Sequence, residues 1–144
     1  MIDRAGIEAL IPHAGSMCLL DRVTHWDAGS VRCTATSHQD QQNPLATDGI
    51  LGAVCGVEYA AQAMAVHGGL IGAVGARPRG GYLASLRALV LHVERLDDLG
   101  SELIIEAERQ AGEGAHVAYR FALSCSGKAV LDGRAAVLLD TRER

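Results

Sequence analysis

Hydrophobic and polar positions follow different patterns in the two halves of the chain, and the first half contains one long apolar run. In residues 49–66 the only charged side chain is that of Glu58. The run is rich in alanine and lies between glycines, which favours a helix with defined ends. A helix that is apolar on nearly every face is a buried helix. We therefore predict a central buried helix over this run, with Asp48 or Thr47 as its N-terminal cap.

In the second half, apolar and polar residues alternate with a period of two, which is typical of strands with one buried face. Short glycine-containing turns separate the last three of these segments and predict antiparallel neighbours. The four predicted strands are residues 82–93, 102–108, 116–125 and 129–139.

Two further strands are predicted before the helix, at residues 16–23 and 31–36, and a tight turn joins them. A short helix is expected over residues 2–10, and residues 37–48 form a polar loop that leads to the central helix. This order predicts an α+β fold in which a curved antiparallel sheet wraps around one long helix. The length favours one domain over residues 1–144.

Composition excludes several classes of function. The net charge is −4, and the arginines are spread along the chain, so no basic face for nucleic acid is expected. The four cysteines show no CxxC spacing, which argues against disulfides and metal sites. The amino terminus lacks the apolar core of a signal peptide, and glycines and polar residues interrupt the apolar run too often for a membrane span. A cytoplasmic protein without a bound metal is predicted.

The chemistry of the chain is expected to centre on Glu58. An ionised carboxylate in an apolar helix needs an ion pair, a hydrogen bond or a raised pKa, and such carboxylates concentrate at functional sites. Gln62 follows one helical turn later on the same face, where it can orient Glu58 or a bound water. The alternatives are a structural contact for Glu58 and a hydrogen bond from Gln62 to the sheet.

Four stretches resemble the hot-dog-fold 3-hydroxyacyl acyl-carrier-protein dehydratases. Residues 11–23 contain Ile-Pro-His and then Met-Cys-Leu-Leu-Asp-Arg-Val, similar to the opening signature of that family. Residues 58–63, Glu-Tyr-Ala-Ala-Gln-Ala, resemble its helix motif. Residues 82–87 and 127–138 resemble the strand after the helix and the closing hairpin.

The resemblance implies a fold, an activity and site residues. It implies a hot-dog fold and dehydration of 3-hydroxyacyl groups on acyl carrier protein to trans-2-enoyl thioesters, with no cofactor and with Glu58 as the catalytic acid. Gln62, Asn43 and His13 are predicted at the substrate site, although His13 also suits a structural hydrogen bond. The family builds its site at a two-fold interface, which implies a homodimer or a heterodimer with a second hot-dog subunit.

The chain departs from the family pattern in the loop before the helix. The histidine of the family's His-Phe-Pro-Gly motif falls on Pro44 here. The sequence resembles that of a divergent branch of the family, the accessory dehydratases of aryl-polyene type pathways. His38 becomes the candidate base, provided that the 37–48 loop folds back toward the helix; the alternative is an exposed loop histidine. The remaining histidines considered are expected at surface or strand positions: His67, His92 and His116.

Two other functions stay open. Hot-dog thioesterases also use a helix-borne carboxylate, in their case to activate water, so thioester hydrolysis is an alternative to dehydration. The missing His-Phe-Pro-Gly motif also suits a subunit that is not catalytic alone and completes the active site of a partner.

Overall fold

A computed structural model describes residues 1–11, 15–72, 81–113 and 116–139 of the chain. Two α-helices lie in these ranges, α1 (Arg4–Leu10) and α2 (Gly56–Gly72). Short 3₁₀ turns occupy Gly15–Met17, Ser37–Gln39 and Ala53–Cys55. The six strands are β1 (Arg22–Asp27), β2 (Ser30–Ala35), β3 (Gly81–Leu91), β4 (Leu103–Glu113), β5 (His116–Cys125) and β6 (Lys128–Leu139).

The strands form one sheet in the order β1-β2-β4-β5-β6-β3, and every neighbouring pair is antiparallel. The sheet leaves β1 and β3 at its edges. Along β5 the side chains alternate between buried and less buried positions, with Val117, Tyr119, Phe121 and Leu123 on the buried face. This alternation is the period of two in the sequence, and it confirms the four strands predicted for the second half.

Helix α2 packs on the buried face of the sheet and contributes Tyr59, Ala60, Ala63 and Val66 to the core. One long helix against a six-stranded antiparallel sheet confirms the predicted hot-dog fold. Burial of the helix is not complete, because one stripe of it is only half-buried within this chain. That stripe runs through Glu58, Ala61, Ala65 and Gly68.

The predicted start of the central helix is wrong. Asp48 and Gly49 have positive φ angles of 54° and 77°, and a turn closes between Thr47 and Ile50. The chain then runs extended, and a 3₁₀ turn with no side-chain cap leads into α2 at Gly56. Neither Asp48 nor Thr47 therefore caps the helix. In the extended segment that follows, Leu51 and Ala53 are buried and Ile50 is exposed.

Backbone pairing with a distant segment explains this late start. The amide of Leu96 donates to the carbonyl of Leu51 at 2.7 Å, and the amide of Ala53 donates to the carbonyl of Glu94 at 3.0 Å. Asp97 accepts from the amide of Leu51 at 2.8 Å. These bonds use the amides of residues 51 and 53, which would have no intrahelical partner in the first turn of a helix that began at residue 49.

Strand β1 begins six positions later than predicted, at Arg22 instead of residue 16. The backbone between residues 17 and 19 is bound to the side chain of Gln62 on α2, with Leu19 donating and Met17 accepting. Because a helix side chain uses these backbone groups, this part of the predicted strand does not pair in the sheet.

Gly56 lies where α2 approaches the sheet most closely. A Cβ atom at this position would clash with a methyl group of Leu131 and would lie 3.1 Å from a methyl group of Leu123. We expect Gly56→Ala to lower the free energy of unfolding by about 1–3 kcal/mol through overpacking. Chemical denaturation measures the change. Gly52→Ala is the matched control, because nothing lies within 4 Å of its added methyl group, and an equal loss in both variants would contradict the prediction.

Among the described residues, the structure contains no helix that is both long enough and apolar enough to cross a membrane.

Candidate functional site

Glu58 lies in the first turn of α2 and is half-buried. Gln62 follows one turn later, and its Nε2 donates a hydrogen bond to Oε2 of Glu58 over 3.3 Å. The structure therefore brings together the two helix residues predicted at the site. A carboxylate held by an amide donor has a defined orientation, which a group that exchanges a proton with substrate requires.

The side chain of Gln62 is buried and its amide is fixed on three sides. Its Oε1 accepts from the amide of Leu19 at 2.9 Å, and its Nε2 donates to the carbonyl of Met17 at 2.8 Å. A backbone N–H can only donate, so Oε1 must face Leu19 and Nε2 must face Met17 and Glu58. Gln62 thus connects the segment before β1 to the candidate catalytic carboxylate.

A second polar network holds the loop before the helix against Tyr59. Ser37 donates through its hydroxyl to the carbonyl of Leu19 at 2.8 Å, which leaves its oxygen to accept from the Tyr59 hydroxyl, also at 2.8 Å. Asn43 Nδ2 then donates to the Tyr59 oxygen at 3.2 Å. Burial raises the pKa of Tyr59, so its hydroxyl remains protonated as this chain of donors requires.

Asn43, predicted at the substrate site, is buried within this network. Its Nδ2 also donates to the carbonyl of Ser37 at 2.8 Å, and its Oδ1 accepts from the amide of Leu45 at 2.8 Å. These contacts fix the shape of the 37–48 loop. Substrate binding by Asn43 stays a prediction. His13 lies outside the described residues, and its role at the substrate site also stays a prediction.

His38 is almost completely buried, so the alternative of an exposed loop histidine is wrong. Its Nε2 lies 3.2 Å from the carbonyl of Leu99, and its Nδ1 has no hydrogen-bond partner in the described part of the chain. Burial lowers the pKa of His38, and the backbone of Ser101 and Leu99 offsets this only in part. The ring is therefore neutral near pH 7, with Nε2 donating to Leu99 and Nδ1 able to accept a proton.

The two predicted catalytic residues have different partners: Glu58 contacts Gln62, and His38 contacts the carbonyl of Leu99. The 37–48 loop does fold back on α2, through Ser37 and Tyr59. The His38 ring is directed toward the connection between β3 and β4, where Leu99 lies. Its role as the base stays a prediction.

His67 is fully buried in the core, so the expectation of a surface or strand position was wrong. Its Nε2 donates to the carbonyl of Asp27 at 2.8 Å, and its Nδ1 accepts from the Tyr119 hydroxyl at 2.6 Å. Burial raises the pKa of Tyr119 to about 12, and burial also lowers the pKa of His67. This neutral pair ties α2 to β5 and to the β1–β2 turn.

We predict that the free energy of unfolding falls as the pH drops below 6.5, the ordinary pKa of histidine. His38 and His67 have lowered pKa values in the folded state, so below pH 6.5 the unfolded state binds more protons and acid favours unfolding. The contribution is complete above pH 6.5 and declines toward the folded pKa values. Each histidine contributes a slope of at most about 1.4 kcal/mol per pH unit.

Urea denaturation between pH 8 and pH 5 measures this slope. His67→Gln should reduce the slope, whereas His116→Gln, at an exposed position on β5, should leave it unchanged. Equal slopes for the wild type and His67→Gln would contradict the prediction.

Several residues that hold the site in place were not identified from the sequence alone. Tyr59 and Ser37 connect the loop to α2, and Asp97 holds the segment before the helix with a bidentate contact to Arg95. The Arg95 guanidinium lowers the pKa of Asp97 to about 2. No local pattern marks these residues, because each acts through a partner distant in sequence. Within the described ranges, no three His, Cys, Asp or Glu residues are grouped so that they could hold a metal ion.

The fold and the site can now be compared with known proteins. A chain of the dehydratase heterocomplex ApeI:P from Xenorhabdus doucetiae has a TM-score of 0.83 and 25% sequence identity, over 94% of this chain and 91% of that chain. A hypothetical thioesterase with coenzyme A from Streptococcus pneumoniae TIGR4 has a TM-score of 0.62 and 12% identity, over 85% and 88% of the two chains. At that identity the likeness shows the fold alone.

A mutant thioesterase from Pseudomonas aeruginosa is similar at the same level, with a TM-score of 0.59 and 14% identity, over 82% of this chain and 79% of that chain. No curated protein matches the sequence. The model of the ApeP-like family, described as ApeP dehydratase, matches residues 5–142, which is nearly the whole chain. The protein therefore belongs to the ApeP-like dehydratase family.

Proposed function

We propose that this chain removes water from 3-hydroxyacyl thioesters carried on acyl carrier protein, giving trans-2-enoyl thioesters in an aryl-polyene type pathway of the cytoplasm. The observation that carries the proposal is the Glu58 carboxylate held by Gln62 at the start of α2, in a member of a dehydratase family. No cofactor is needed, because elimination of water requires only an acid and a base.

The proposed reaction divides these two tasks between two groups. A base takes the proton from C2, the C2–C3 double bond forms as the C3–O bond breaks, and an acid protonates the departing hydroxyl to give water. Glu58 donates that proton, and Gln62 fixes the direction in which the carboxyl group is presented. His38 or a histidine of a partner subunit acts as the base.

The sheet edge supports the presence of a partner subunit. In the described part of the chain, strand β3 pairs on one side only, and three of its residues are exposed by 40%, 37% and 44%: Leu83, Leu86 and Leu91. These leucines pair with residues of β6 that face the core: Val137, Ala135 and Leu131. They therefore lie on the same face of the sheet as α2, but α2 does not cover this end of it. Unpaired strand edges with apolar side chains are sites of association. The similarity to a chain of the ApeI:P heterocomplex supports a second hot-dog subunit here.

The half-buried stripe of α2 supports the same arrangement. Val54 is 57% exposed one turn before Glu58, and the alanines that follow on this face are only half-buried. A second subunit covering this face would complete a closed channel around Glu58. We propose a heterodimer with a second hot-dog subunit, with a homodimer as the alternative.

One experiment tests the proposal against both alternatives. The purified chain, alone and co-expressed with a hot-dog dehydratase subunit from the same organism, is incubated with a 3-hydroxyacyl carrier protein, and the products are identified by mass spectrometry. We expect an enoyl carrier protein from the complex. Release of free hydroxy acid would establish a thioesterase instead. Equal full turnover by the chain alone would exclude a subunit that depends on its partner.

A further inference from the structure

Three arginines lie in one row across neighbouring strands of the sheet. Arg87 on β3 is directly opposite Arg134 on β6, and Arg134 is directly opposite Arg120 on β5. All three are exposed, and they alternate with residues of the buried face such as Tyr119 and Ala135. The row therefore lies on the face of the sheet turned away from α2.

This row is unfavourable for the isolated chain. Like charges directly opposite each other on neighbouring strands repel and destabilise the pair. In the described part of the chain none of the three arginines forms an ion pair, whereas Arg95 pairs with Asp97 on a nearby loop. Arg120 also lies opposite Glu108 on β4, so the like-charge repulsion is greatest between Arg87 and Arg134. The chain carries a net charge of −4, so these adjacent cations are a local reversal of its overall sign.

Small residues lie beside the arginines on the same face. Two positions along each strand from the row are Ser85, Ala136 and Ala118. Together with Arg87 and Arg134 they line a groove of about 350 Å³. Short side chains allow a partner backbone to approach the sheet closely, with the arginines at its flank.

We propose that the arginine row and its groove are the docking surface for an acidic protein partner. Resting on the proposed function, that partner is the carrier protein that delivers the acyl thioester. The row extends across three strands, or about 10 Å, which suits several separated carboxylates better than one small anion. The guanidinium groups are exposed to water, so each contact is weak alone and the affinity comes from several together.

Charge reversal of single arginines in the row provides the test. In the complex with its partner subunit, Arg134→Glu and Arg120→Glu should each raise KM for a carrier-bound substrate about tenfold and change kcat less than about twofold. With a small pantetheine thioester of the same acyl group, both constants should stay at the wild-type value. Arg32→Glu is the matched control, because Arg32 is exposed on the same face of the sheet but lies on β2, outside the row and its groove.

A binding measurement separates this proposal from the proposed function. Titration with carrier protein that bears no acyl group should show weaker binding at higher salt and a loss of about tenfold or more for Arg134→Glu. If no substrate is turned over but this loss is observed, the proposed function fails and the docking surface stands. Unchanged binding by Arg134→Glu overturns the docking surface, as does competition by inorganic phosphate well beyond that of chloride at equal ionic strength.

Discussion

Replacing Glu58 with glutamine is expected to lower kcat for dehydration by about 10²- to 10⁴-fold, the usual contribution of a general acid. Glutamine has nearly the shape of glutamate, and its amide oxygen can still accept the hydrogen bond that Gln62 donates to Glu58. The substitution therefore keeps the local contact and removes the ability to exchange a proton. The loss should appear in kcat more than in KM, because the proton is needed in the transition state.

Steady-state kinetics of the complex with a 3-hydroxyacyl carrier protein measures the effect, and thermal unfolding checks that the variant is folded. Glu102→Gln serves as the matched control, since Glu102 is exposed just before β4. It should retain the wild-type rate. If Glu58→Gln has the same kcat as the control, Glu58 is not the catalytic acid, whereas the family assignment is unaffected.

The parts of the fold that the sequence predicted well are those set by local periodicity. The strand alternation around Phe121 and Leu123 follows from one face of the sheet meeting the core, so each residue carries its own signal. The same holds for Glu58 and Gln62, whose spacing of four residues places them on one helix face. These features require no knowledge of distant segments.

The errors arise where distant segments compete for the same backbone. An apolar run is compatible with a buried helix and with a buried extended segment, and the backbone of Leu51 and Ala53 pairs with residues 94–96 in the structure. This pairing delays the helix to Gly56. The same limitation hid the burial of His67, because its partners are a turn carbonyl and a tyrosine on β5.

In the loop before the helix, the family resemblance and the structure give different information about His38. The family motif indicates where a histidine is missing, and His38 was the nearest candidate by sequence. In the structure the His38 ring contacts the backbone of Leu99, while its neighbour Ser37 contacts Tyr59 on α2. The direction of each side chain depends on the 3₁₀ turn at Ser37–Gln39, which no pattern in the loop indicates.

Replacing Gln62 with methionine is expected to reduce both stability and turnover. Methionine has a similar length but cannot donate or accept the bonds of the Gln62 amide. The buried amide of Leu19 then lacks a partner, which costs about 1–3 kcal/mol of unfolding free energy. Gln41→Met, on the exposed loop, is the matched control and should change neither property.

The effect of Gln62 on turnover should act through Glu58. Without the Nε2 donor the carboxylate loses its fixed orientation, and we expect kcat to fall by about 10- to 100-fold, the size of effect that a small displacement in an active site produces. In a double-mutant cycle, Glu58→Gln combined with Gln62→Met should be no slower than Glu58→Gln alone, because a residue that positions Glu58 has nothing to contribute once the acid is absent. If the rate losses of the two substitutions multiply, Gln62 contacts the substrate itself. If kcat is unchanged in Gln62→Met, the contact between Gln62 and Glu58 contributes to stability only and not to catalysis.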